Sequence, residues 1–245
     1  MNKIPQTELY VPINLIFYAV QNKLIPHLKL YLYLKCNSDG IVKDEQANWN
    51  NVARVLMVTD KTVRTHLKRL CNLNWIGVLK PSNLCLVRSF DKVCRRLNLY
   101  SRPSIIFCTD YFNSFEGFIG GAIFTHFYQA SKKTSQRRVV AILGTTKVPA
   151  RGSFLGYPVS IYGVAKCLKI SVSKTYRLKA SAIKQGFIQA TSDFERLPFK
   201  PHYLKTVHKV NYPRATSFVF SDKESLILKL PDLIKTCLKM ASRRK

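Results

Sequence analysis

Between residues 52 and 80 the chain reads VARVLMVTDKTVRTHLKRLCNLNWIGVLK, and its apolar positions recur at helical spacing. Val63, Leu67 and Leu70 lie at i, i+4 and i+7, which puts them on one face of a helix expected over 60–73. Val52, Val55 and Leu56 form a matching stripe on a preceding helix, about 48–57. Thr59 stands at the N-cap position, where its hydroxyl can accept from an amide of the first turn. Asn74 follows Leu70 by four residues, where a helix ends on a left-handed residue. Trp75 then opens WIGVLKPSNLCLVRSF, two short strands about a Lys-Pro-Ser-Asn turn.

The rest of the chain divides around this block. Upstream, the pattern predicts a helix over 13–22, a break at Pro26, a helix over 27–36 and a turn at NSDG. Downstream, FEGFIGGAIFTHFYQASKK is apolar at helical spacing through Phe118, Ala122 and Phe127. SKKTSQRR (131–138) reads as a basic loop, RVVAILG fits a helix or a strand, and ARGSFLGYPVS reads as a loop. Helices are expected at about 160–169 and 173–185, and a strand at ATSFVFSD. The final segment reads as a helix capped by Ser221 and Asp222 and interrupted by Pro231.

VAKCLKISVSKTYRLKASAIKQGFI (164–188) repeats the first block: VAKCLKIS pairs with VARVLMVT and SKTYR with DKTVR. Tyr176, Ala180 and Ile183 repeat the i, i+4, i+7 spacing, and Gly186 takes the place of Asn74. The stop comes one residue sooner after Ile183 than after Leu70, so the register of this helix is open by one. The expected fold is α+β, mainly helical, in two domains, 1–108 and 109–245, the second with a basic tail.

Charge changes the picture most. The 245 residues hold 40 Lys and Arg against 13 Asp and Glu, a net charge of +27. Residues 1–110 hold 16 against 7 and residues 111–245 hold 24 against 6. An excess this large repels itself in the folded state and points to a polyanionic partner. Nucleic acid fits better than a membrane surface, because the cations are spread along the chain and not gathered on one amphipathic helix. The face opposite Val63 and Leu70 carries Lys61, Arg64, Thr65 and Lys68, both basic and hydrogen-bonding.

The run NNVARVLMVTDKTVRTHLKRLCNLNWI resembles the winged helix-turn-helix DNA-binding superfamily, in which a Ser or Thr cap, a Thr-Val pair and an HLxxL pattern mark the recognition helix. Thr59, Thr62, Val63, His66, Leu67, Leu70 and Asn74 fill those places. LKLYLYLKCNSDGIV resembles the first helix and turn of such domains in phage and plasmid replication proteins, so the likeness covers about 26–90. The tandem arrangement resembles plasmid replication initiators. It implies two tandem winged helix-turn-helix domains that bind double-stranded DNA. The residues implied to meet DNA are Thr59, Lys61, Thr62, Arg64, Thr65 and Lys68 in the first copy and Ser173, Lys174, Thr175, Arg177, Lys179 and Lys184 in the second. Lys80, Arg88, Arg95 and Arg96, on or beyond the first wing, are kept as backbone contacts and fit a solvated surface equally well. On this alignment Lys61/Lys174 and Arg64/Arg177 agree in type.

Enzymatic readings find little support. GFIGGA and GTTK lack the Gly-Lys-Ser/Thr of a phosphate loop. His27, His66, His126, His202 and His208 have no metal-ligand spacing with a cysteine, and no carboxylates pair as a nuclease site would need. Seven irregularly spaced cysteines without a CxxC suit free thiols in a reducing cytosol. The start has no signal-peptide layout, and no apolar run nears the ~18–20 residues that span a bilayer. The expectation is a non-enzymatic, cytoplasmic, nucleoid-associated protein of prokaryotic or phage type that needs no cofactor or metal. It would regulate transcription, or initiate replication at origin repeats and recruit replication machinery, or package DNA. Its oligomeric state is open, and a structural or protein-binding role for the helix-turn-helix pattern is the plainer rival.

Overall fold

The computed structural model describes residues 8–43, 49–79, 84–101, 103–143, 156–198, 217–222 and 225–241. The chain is α+β, mainly helical, with small antiparallel sheets. It divides into two compact units, Met1–Ile123 with Leu238–Lys245, and Phe124–Cys237.

The first unit opens with β1 (Glu8–Pro12), α1 (Ile13–Gln21) and α2 (Ile25–Asn37). Pro26 does not break a helix here; it sits in the first turn of α2, where its missing N–H would have had no partner. Then come β2 (Ile41–Lys43), α3 (Trp49–Leu56), α4 (Asp60–Asn72), β3 (Ile76–Leu79) and β4 (Leu84–Val87). β4 is the central strand of an antiparallel sheet ordered β2-β4-β3. α5 (Phe90–Arg96) and β5 (Ser104–Cys108) follow, with β5 paired to β1. The chain's end returns to β5: the Ile106 amide donates to the Lys239 carbonyl at 3.1 Å.

Trp75 and Tyr31 anchor the core of this unit. Both are fully buried, their rings meet edge-on with centroids 5.3 Å apart, and the Tyr31 hydroxyl donates to the Arg88 carbonyl at 2.6 Å. That bond satisfies the one polar atom that a buried tyrosine brings. It also ties α2 to the chain leaving β4.

α6 runs Phe115–Leu143, straight through the stretch expected to be a basic loop at 131–138, and resolves RVVAILG as helix as far as Leu143. In the second unit β6 (Tyr157–Pro158), α7 (Ile161–Leu168), α8 (Val172–Lys184) and β7 (Ile188–Pro198) precede β8 (Ser217–Asp222) and β9 (Ser225–Thr236). β9 replaces the helix expected at the C-terminus. It lies between β7 and β6, in the order β6-β9-β7, with β8 also paired to it. Pro231 falls where the ladder slips: Asp193 pairs with Leu230 and Thr191 with Leu233, leaving Pro231 and Asp232 as the bulged residues. A bulge releases a proline from its ladder bond, so the residue that would interrupt a helix is accommodated in a strand.

From the helix before the short strand onward, the two units share an element order: helix, short strand, two helices, then strands of which the last is central, two in the first unit and three in the second. In both, the second of the paired helices ends on a left-handed residue. Asn74 has φ +57° and Gly186 φ +75°. A Cβ on Gly186 would meet nothing within 4 Å, so the glycine serves backbone conformation alone. Gly186→Ala should therefore cost about 1 kcal/mol, from backbone strain without a clash. Asn74→Gly should be neutral within a few tenths of a kcal/mol. Urea unfolding of the two variants checks both.

Candidate nucleic-acid interface

α4 is held at both ends. The Thr62 amide donates to the Thr59 hydroxyl at 3.2 Å, and the Trp75 amide donates to the Leu70 carbonyl at 3.0 Å. Val63 and Leu70 are fully buried and Leu67 is half-buried, so the inward face matches the sequence reading. Lys61, Arg64, Thr65 and Lys68 are exposed on the outward face, together with Arg69, which the sequence reading passed over. The Arg64 Nε donates to the Asp60 carboxylate at 2.9 Å, one turn back, which steadies the guanidinium along the helix. The Thr65 hydroxyl donates to the Lys61 carbonyl at 2.9 Å.

α8 obeys the same rules at a constant offset of 112 residues. Trp49 corresponds to Ile161 and Asp60 to Val172 at the helix starts; Leu56 to Leu168 and Asn72 to Lys184 at their ends. The turns agree bond for bond. Val58 donates to Ala53 as Ile170 does to Ala165, and Trp75 to Leu70 as Phe187 does to Ala182. Met57 and Lys169 are both left-handed, at φ +57° and +50°. The cap of α8 is Ser171, whose hydroxyl accepts from the Lys174 amide at 3.2 Å.

This offset corrects the sequence alignment, which placed SKTYR one residue away. Lys174 corresponds to Thr62 and not to Lys61, and Arg177 to Thr65 and not to Arg64. The buried face is Thr175, Leu178, Lys179 and Ala182, while Tyr176, Ala180 and Ile183, expected to be buried, are exposed. Two residues expected to meet DNA therefore point inward. Thr175 is fully buried, and its hydroxyl donates to the Ser171 carbonyl at 3.1 Å. Lys179 is only 5% exposed and forms an ion pair with Asp232, at the bulge of β9. Ser173, Arg177 and Lys184 are exposed, and Lys174 is half-buried. At the four outward positions the copies read Lys61/Ser173, Arg64/Tyr176, Thr65/Arg177 and Lys68/Ala180, so no pair agrees in type.

Arg88 is half-buried at the end of β4, beside Gly77 of β3; its amide donates to the Trp75 carbonyl at 3.1 Å. Arg95 and Arg96 are exposed in the last turn of α5, a position that suits cations. Lys80, the turn after it, GTTK, His202, His208 and the terminal SRRK lie outside the described residues. His66 belongs to α4 but turns inward, its ring 4.4 Å from that of His27. Burial, then His66 and Arg69, lower the His27 pKa to about 4, and burial lowers that of His66. Among the described residues, no helix is long and apolar enough to cross a membrane.

Two expectations follow. Lys179→Met strands the Asp232 carboxylate and should cost about 3 kcal/mol in stability, recovered in the Lys179→Met/Asp232→Leu double variant; denaturant titration of the three proteins checks this. For His27, the folded pKa lies below the unfolded value of about 6.5, so the unfolded state binds the proton more tightly. The stability tied to His27 is complete above pH 6.5 and is lost as the pH falls towards 4. His27→Gln should therefore flatten that part of a plot of Tm against pH.

Compared with known proteins, the chain matches no family model, no curated protein and no solved structure.

Proposed function

We propose that the chain is a site-specific double-stranded DNA-binding protein made of two tandem winged helix-turn-helix domains, and that it regulates transcription without catalysing a reaction. α4 and α8 are the recognition helices, and the hairpin β3–β4 and the pair β7–β9 are the wings. The observation that carries this reading is the outward face of α4. Lys61, Arg64, Thr65 and Lys68 stand exposed on a helix capped at one end and locked into the core at the other. A rigid helix presenting donors suits a major groove, where base edges offer acceptors in a sequence-dependent pattern. The net charge of +27 supplies the attraction to phosphate that any such contact needs.

The constant offset favours a second reading within the same class. One chain with two differing readers suits an initiator that binds origin repeats and recruits replication machinery, because neither a palindrome nor a second subunit is required. Either role places the protein in the cytoplasm, on the nucleoid.

Arg64→Ala should weaken binding to the preferred site by about 1–3 kcal/mol and binding to random duplex by much less. Arg64→Lys keeps the charge but loses the planar fork, so it should recover the random-duplex affinity and little of the specific affinity. Fluorescence anisotropy against both duplexes, over a salt series, checks this. Equal losses on both duplexes would reduce Arg64 to a phosphate contact.

A further inference from the structure

The outward face of α8 differs in chemistry from that of α4. Tyr176, Ala180 and Ile183 form an apolar row along it, with Tyr176 51% and Ile183 42% exposed. Such a row on a surface helix normally marks the side that packs against a core. Here that side is already occupied by Thr175, Leu178, Lys179 and Ala182. The apolar row occupies the positions that Arg64, Lys68 and Cys71 occupy in α4.

Cations border the row on one flank of α8 and recur on the preceding helix and turn. Arg177 and Lys184 are exposed beside it on α8, and Lys166 and Lys169 are exposed on α7 and the turn after it. No acidic residue occurs between Glu116 and Asp193, a stretch that holds twelve Lys and Arg. A second copy of this face would bring cations against cations. Duplex DNA offers the complement to both features: phosphates for the basic border, and for the row the only apolar group on a major-groove base edge, the 5-methyl of thymine.

We propose that α8 selects thymine-bearing base pairs by contact of Tyr176 and Ala180, extended by Ile183, with the thymine 5-methyl groups, while Arg177, Lys184, Lys166 and Lys169 hold the flanking phosphates. This rests on the DNA-binding reading above and gives its second half-site a chemistry. The two helices then read different features: α4 reads acceptors through charged donors, and α8 reads methyl groups through apolar contact.

The test uses the full chain and the duplex it binds most tightly in a selection from random sequence. Each thymine of that site is replaced in turn by deoxyuridine, which removes the 5-methyl and leaves pairing unchanged. The expected result is a loss of about 3- to 5-fold in affinity at one or more thymines, the worth of one buried methyl group. In Tyr176→Ala and Ala180→Gly, both at exposed positions, the ratio of thymine-duplex to uracil-duplex affinity should fall towards one, whatever the change in overall affinity. Uracil substitution without effect, or an effect unchanged in both variants, overturns the methyl contact and leaves the DNA-binding reading standing. Absence of any preferred site overturns that reading and the inference together. A wild-type chain that self-associates in light scattering and becomes monomeric on Tyr176→Ala also overturns the inference, by assigning the row to a protein interface.

Discussion

The helix exit at Asn74–Trp75, repeated at Gly186–Phe187, is the constraint on which both units depend. At each, one left-handed residue reverses the chain, and the next amide donates back to the carbonyl of a buried helix residue, Leu70 or Ala182. Trp75 and Phe187 are thereby driven into their cores, and the following strand must start alongside the helix it has left. With the N-cap fixed by Thr59 or Ser171, thirteen residues are clamped between two defined points. Which side chains face outward is then decided by counting from the cap. The clamps place no demand on the outward side chains, since neither involves them, and the two copies differ at all four.

Electrostatics and folding are largely separated in this chain. The exposed cations of α4 and α8 do little for stability, because surface charges in water interact weakly. Lys179 is the exception. It occupies the place of Leu67, and the chain tolerates an ammonium there because Asp232, set at the bulge of β9, meets it. The bulge that accommodates Pro231 thus also supplies the counter-ion, so a defect in the ladder and a buried charge answer each other.

Most of the first unit was legible from local signals. The Thr59 cap, the Val63–Leu70 face and the Asn74 stop are each short-range, and each is found where the sequence places it. The register of α8 is harder to read from sequence because two apolar rows compete on it. Tyr176, Ala180 and Ile183 look more hydrophobic than Thr175, Leu178 and Ala182, yet the latter are buried. Ser171 held the missing signal: counting from that cap as from Thr59 gives the observed register. The C-terminal strand β9 was read as a helix because its apolar residues satisfy either period, and only pairing with β7 and β8 decides between them. The short strands β2 and β6 depend wholly on such pairing. Basic residues at 131–138 mimic a loop but are compatible with a helix, since Lys and Arg are good helix formers.

The central claim, that one chain carries two readers of different chemistry, is tested most directly by selecting bound sequences from random duplex DNA with the intact protein. The account predicts a single long, asymmetric site with two unlike halves, one defined by base-edge acceptors and the other by thymine. A palindromic site, or recovery of sequences no different from the starting pool, would contradict it.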